Sequence, residues 1–358
     1  MAVSRIDEAG LNVTQYGNRN LIINGAMQVA QRGTSFNAPA DAEYTLDRIS
    51  PFRNGAGVID IEQSTVAPES FQYSLKVTVD TADTSLGGTD FGGLRYVVEG
   101  YDASRIDFGK SSAKQITLSF YARSSVTGIY SVAFRNSAAS RSYAVDYTID
   151  AVDTWERKEI TITADTSGTW VTDSGKGIDL RFCLWGGGYT TTPNSWNNGN
   201  FIGSNNTNTS WIATVGNTFY ITGVQLEVGD TATGFEHRSY GEELALCQRY
   251  YYRIDSADNN SSYQRFAVAS IETSTEAEGI FTHPVRMRAI PTFGFSAASD
   301  FHVFTANSVK SVSNLLIDQS SPTATGVAIT ATGMTGGNVG LLNANNTQNA
   351  WIEFKAEL

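Results

Sequence analysis

Cysteine is nearly absent from these 358 residues: Cys183 and Cys247 are the only two. Two cysteines provide neither a disulfide framework nor the spacing of a metal site. One falls in an expected strand and the other in an expected helix, so two buried thiols are expected; a bridge would need Cα atoms within about 7 Å. Histidine is also scarce. His237, His283 and His302 lie in separate segments, and no HExxH pair exists to hold a catalytic metal. P-loop, GxSxG and strand-to-helix GxGxxG signatures are missing as well. A Ser-His-Asp triad assembles from any chain order, but three histidines leave little to build one from. A glycosidase needs two carboxyl groups about 5–9 Å apart. The 36 acids carry no signature of such a pair. Glu62, Glu69, Glu99 and Glu236 read as solvated faces or loop hydrogen bonds.

Runs of one charge are lacking too. The 25 basic residues are scattered, and the net charge is −11. Nucleic acid requires clustered Lys and Arg, and anionic lipid attracts polybasic segments; neither partner is expected, nor is membrane insertion. No stretch of about 18 apolar residues occurs, and residues 1–20 lack the apolar core of a signal peptide. The expectation is folding in a cytoplasm and release by a route other than secretion, such as cell lysis. The charged fraction, 17%, is below the roughly 25% of globular domains, while Gly, Ser, Thr and Asn are plentiful.

What is present is period-two alternation. Ser74 to Val79, Gln115 to Ala122, Tyr143 to Ile149, Ile178 to Trp185 and Phe219 to Glu227 are aromatic or β-branched at alternate positions. That is the pattern of half-buried strands. Many short strands with turn signals between them and no intervening helices predict an all-β sandwich of the jelly-roll type. One segment departs from this. Ser239 to Tyr252 reads as a short helix, with Ser239 and Glu242 at capping-box spacing. Leu244, Cys247 and Tyr251 fall on one face of it at i, i+3 and i+7, where they would pack the joint or an oligomer contact. Shorter strand-like segments follow, predicting a second, smaller β-sandwich. The expected organisation is an N-terminal docking arm (1–20), a jelly roll (21–236), a helical joint (237–252) and a C-terminal β domain (253–358) that faces a receptor or drives oligomerisation.

The stretch from Trp185 to Trp211 is long for a connection and rich in Asn, Ser, Thr and Gly. Long loops in compact domains are often functional. Trp185, Tyr189, Trp196 and Trp211 are the candidate glycan-binding residues, because sugar rings stack their C–H faces on aromatics while amides bond the hydroxyls. The same aromatics could instead cap the sandwich core, since Trp is usually largely buried. Trp196, flanked by Asn and Ser, is the best placed for exposure.

Three segments resemble bacteriophage tail-fibre and virion structural proteins. They are Asn20 to Gly33 with Tyr44 to Arg48; Ile116 to Ser125 with Gly128 to Val132; and Phe219 to Gly229 running into Phe235 to Tyr251. The third is the longest and most specific. The resemblance implies a non-catalytic particle component with a carbohydrate-binding-module-like jelly roll, located in the virion and forming a homotrimer. Its partners would be other virion proteins through the arm and, at the host surface, polysaccharide. The resemblance offers no cofactor. Jelly rolls of this type often carry a structural calcium, and Asp47, Asp60 and Asp102 are acids that could contribute hard oxygen ligands, although no DxDxDG loop is present and surface acids are the simpler reading. A capsid decoration protein and a polysaccharide-degrading spike are the alternatives.

Overall fold

The computed structural model describes residues 17–207, 209–257 and 261–358. The alternation seen in the sequence becomes strands with one buried face. In Ser74–Thr81, Leu75, Val77 and Val79 are buried while Lys76 is not. In Ile116–Ser124, Ile116, Leu118, Phe120 and Ala122 all face the core. The chain divides into two units, one ending at Glu243 and taking in Leu358, the other running Leu244–Glu357.

The first unit is a sandwich of two six-stranded sheets. One sheet runs in the order β1 (Ser35–Phe36), β3 (Val58–Ser64), β4 (Ser74–Thr81), β14 (Thr218–Val228), β6 (Ile116–Ser124) and β9 (Glu156–Ile162). The other runs β12 (Ser195–Asn198), β8 (Arg141–Ile149), β7 (Gly128–Arg135), β10 (Lys176–Gly186), β5 (Phe91–Glu99) and β2 (Ile49–Asn54). All pairings within both sheets are antiparallel. Two-residue strands β11 (Thr190–Thr191) and β13 (Gly203–Ser204) form a short parallel ladder. A one-turn helix, α1 (Gly100–Ala103), follows β5. The jelly-roll expectation holds for this unit.

One irregularity decides what enters the core. Opposite Gly93 and Gly92, β10 slips register between Cys183 and Trp185. A bulge re-aims the residues after it, so Leu184 and Trp185 are both buried in the core. Gly92 makes room for this: a Cβ there would sit 2.1 Å from the Trp185 ring.

Helix α2 (Tyr240–Gln248) carries the capping box read from the sequence. The Ser239 and Glu242 amides each donate to the other's side chain at 3.3 Å. It is shorter than expected. Tyr251 is the first residue of β15 (Tyr251–Asp255), opposite Lys355, rather than the last turn of a helix. Three consecutive tyrosines favour the pleated, half-buried surface of a strand, and the buried Tyr251 hydroxyl donates to Glu353 at 2.7 Å. Cys247 is buried and Leu244 half-buried.

The second unit is all-β but closes into a barrel rather than forming a sandwich. The barrel order is β16 (Arg265–Ile271), β17 (Glu276–Thr282), β21 (Ala324–Ala331), β20 (Ser308–Ser320), β19 (Phe301–Thr305) and β22 (Val339–Ala344), which pairs back to β16. Closure removes the sheet edges that a small sandwich would leave open. A three-stranded sheet, β15, β23 (Trp351–Lys355) and β18 (Thr292–Phe295), completes the unit. Phe281, Phe301, Val327, Ile329, Ile352 and Phe354 anchor its core.

Candidate functional site

Of the four aromatics expected to bind glycan, the structure removes two. Trp185 is 1% exposed and Trp211 is fully buried, and their rings stack at 5.9 Å and 17° inside the sandwich. No sugar can reach either face, so these residues cap the core. Trp196 is half-buried at the sandwich edge among Tyr143, Phe108 and Trp170, with ring centroids 5.2–5.5 Å away. Its indole N–H donates to the Thr163 carbonyl at 2.8 Å, which fastens the edge strand β12. Tyr189 alone stands out into solvent, 46% exposed.

Tyr189 rises at the rim of a cleft of about 580 Å³ on the outer face of the second sheet. Period two explains what lines it. On β5 and β10 the residues that alternate with the core leucines point outward, and strand order places Arg95, Arg181 and Arg135 on the neighbouring strands β5, β10 and β7. Arg181 lies directly opposite Arg95, and Asp179 directly opposite Arg135. Asp179 has no exposed surface and is surrounded: Arg135 at 2.5 Å, Arg95 at 3.2 Å, Arg181 at 3.4 Å and Lys176 at 3.7 Å. Burial alone would raise the Asp179 carboxyl, but the combined field of Arg135, Arg181 and Arg95 wins and holds it well below the usual carboxylate range. Burial lowers the Arg181 guanidinium to about 10, with Asp179 pulling the other way, so it keeps its charge at neutral pH.

The aromatic wall is built from both ends of the site. Phe52 packs with Cys183 and Ile202 in a small apolar cluster, with Phe91 against it. Phe91 meets Tyr189 edge-on at 5.6 Å, and the Arg181 guanidinium lies 4.7 Å over the Phe52 ring. Burial pushes the Cys183 thiol up to about 12, which leaves it inert. The long segment after Trp185 folds back across the sheet. Ile202 N–H donates to the Tyr189 carbonyl at 2.7 Å, and Ser204 N–H to Ser131 Oγ at 3.0 Å. Asn200 from this segment accepts from Arg135 at the cleft floor, and exposed Asn54 sits on the opposite wall. Tyr189 itself has φ +53°, a left-handed conformation that a bulky side chain rarely adopts and that costs about 1–3 kcal/mol.

The metal candidates do not converge. Asp47 is buried and spends its carboxylate on the Gln31 side chain at 2.6 Å and the Gln31 amide at 2.8 Å. Asp60, on β3, accepts from the Ala38 amide, and Asp102 belongs to α1. Among the described residues no three His, Cys, Asp or Glu side chains are grouped to hold a metal. Both cysteines are buried.

The first and third resemblance segments meet in the structure. The Asn20 amide donates to Glu236 and the Asn24 amide to Glu243. Arg238 donates to the carbonyls of Asn20 and Ile22 and pairs with Glu243. These contacts clamp the chain's entry to the sandwich onto its exit. The expected docking arm, 1–20, lies outside the described residues up to 16; Asn20 at its end is buried in this clamp.

Sequence reading missed Phe52, Phe91, Arg95, Arg135, Asp179, Arg181 and Asn200. The available signal was charge at alternate positions of an otherwise apolar strand, as in Ile178-Asp179-Leu180-Arg181-Phe182, which marks an outward face but not its neighbours.

No protein-family model matches the chain, and no curated protein matches it. Among solved structures the chain is similar to the enzymatically active domain of tailspike protein 4 of bacteriophage CBA120, at 13% identity and TM-score 0.31, covering 58% of this chain and 21% of that one. The chain thus spans about a fifth of that tailspike structure. It is also similar to the family 11 carbohydrate-binding module of a Clostridium thermocellum cellulosomal cellulase, at 12% identity and TM-score 0.29, covering 56% of this chain and 95% of that one. A xylan-binding domain from Paenibacillus barcinonensis is similar at 9% identity and TM-score 0.28, covering 55% and 94%. At such values the likeness assigns no function.

Proposed function

We propose that this chain is a non-catalytic structural component of a bacteriophage particle, of the tail-fibre or appendage class, and that its sandwich binds host-surface glycan in the cleft beneath Tyr189. One observation carries the glycan reading: an exposed tyrosine, held in a strained backbone conformation, overhangs an open cleft whose walls combine aromatic rings, amides and guanidinium groups. Ligand sites mix apolar walls with a few convergent polar groups in this way. The virion assignment rests on the three resemblance segments. The cleft also supports a binding role over hydrolysis. A glycosidase needs two carboxyl groups flanking the bond to be cut, whereas among the described residues the cleft lining carries one acid, Asp41, with Asp179 buried beneath it.

The test is a glycan array probed with the full chain and with Tyr189→Gly. Retention of specific saccharides by the native chain, lost in the variant, is the expected result. Equal retention by both would remove the cleft from the reading. Release of reducing ends from a bound polysaccharide would replace binding with hydrolysis.

A further inference from the structure

We propose that the cleft selects an acidic saccharide, docking a sugar carboxylate on Arg95 and Arg181 while the ring lies against Tyr189. This rests on the glycan reading of the cleft. Four observations lead to it.

The first is an excess of cation. Four arginines, Arg53, Arg95, Arg135 and Arg181, line the cleft, against Asp41 on the wall and Asp179 beneath the floor. One buried carboxylate does not need three guanidinium groups and Lys176 to neutralise it. The second is register. Arg95 and Arg181 sit directly opposite each other on paired strands, and like charges in that position destabilise a sheet. Asp179 offsets this repulsion, and an incoming anion would offset it further.

The third is unspent donors. Arg95 uses only its Nε on Asp179, and Arg181 uses Nε and Nη2. Their remaining terminal nitrogens have no hydrogen-bond partner among the described residues, and none of them is among the buried polar atoms left without one. A planar guanidinium pairs with a carboxylate through two parallel hydrogen bonds, and the stack on Phe52 fixes the plane of Arg181. The fourth is contrast. The chain as a whole carries −11. A cationic cleft in an acidic protein draws anions to that one place, while the surrounding charge repels a long polyanion such as nucleic acid, whose phosphates would have to lie along it.

The experiment uses the full chain and a calorimetric titration with oligogalacturonate, hyaluronan oligosaccharide and α2,8-linked oligosialate, each beside its carboxyl-reduced neutral counterpart. At least one acidic member is expected to bind tenfold or more tightly than its neutral partner, with affinity falling as salt rises. Arg181→Gln should abolish that ratio. Because this variant also disturbs Asp179, Thr89→Glu at the exposed rim provides a second check: it adds an anion without touching the floor, and should weaken acidic ligands at least threefold while leaving neutral ones unchanged. Neutral oligosaccharides binding as tightly as acidic ones would overturn the charge inference and leave the glycan reading standing. Binding of a single-stranded oligonucleotide in place of any saccharide, or of nothing in either set, would overturn both.

Discussion

The two units treat the outward faces of their sheets in opposite ways. In the sandwich, the outer face of β5, β10 and β7 holds Arg95, Arg181, Asp179 and Arg135, mostly withdrawn from water. In the barrel, several outward positions among the polar ones are apolar and exposed: Val268, Ile280, Val309 and Leu316 are each more than half exposed. Val268, Leu341, Phe304 and Val309 even form a row across four strands in direct register. Charges withdrawn from water must compensate one another, so removing one leaves the rest uncompensated. Apolar side chains already in water have little left to lose. The sandwich face should therefore be fragile to single substitutions and the barrel face permissive.

Asp179→Ala should be the most damaging change. It leaves three guanidinium groups and Lys176 around an empty place, and should cost about 3–5 kcal/mol in urea unfolding. Trp185→Ala should cost a similar amount, about 3–5 kcal/mol, by emptying the core instead. If Asp179→Ala cost less than about 1 kcal/mol, the face would not be the coupled network described.

Acid should expose the same coupling. The Asp179 carboxyl titrates lower in the folded chain than in the unfolded one. The unfolded chain therefore takes up this proton first as pH falls. The stabilisation is complete above the unfolded value of about 3.9, and is lost as pH drops from there through the folded value. Asp179→Asn should flatten that acid limb in a pH series of melting temperatures; an unchanged limb would assign it to other carboxylates.

Tyr189→Gly separates binding from folding. Relief of the left-handed backbone offsets the added freedom of glycine, so stability should change by no more than about 1 kcal/mol, while glycan retention is lost. A larger loss of stability would make Tyr189 a packing residue. The smallest effect belongs to the barrel. Val268→Lys and Ile280→Lys should each shift stability by less than about 0.5 kcal/mol, and a greater cost would show that the exposed row is covered in solution.

Legibility followed the range of the interactions. The capping box of α2 was readable because Ser239 and Glu242 are three residues apart. The buried faces of β4 and β6 were readable because a strand alternates locally. Trp185 was misplaced because a bulge changes which way a side chain points, and nothing in Cys183-Leu184-Trp185 announces the slip. Tyr251 was misplaced because its partner, Lys355, is about a hundred residues away.

The sequence by itself determined that the chain is built of strands, and which residues of most strands face a core. That information lies in a two-residue period and in turn and cap signals, all local in the chain. Only the tertiary structure decided that β10 lies between β5 and β7. That order brings Arg95, Arg135, Asp179 and Arg181 to one place, and it is fixed by pairing and packing between segments dozens of residues apart, for which an outward-facing arginine looks the same wherever its neighbours come from.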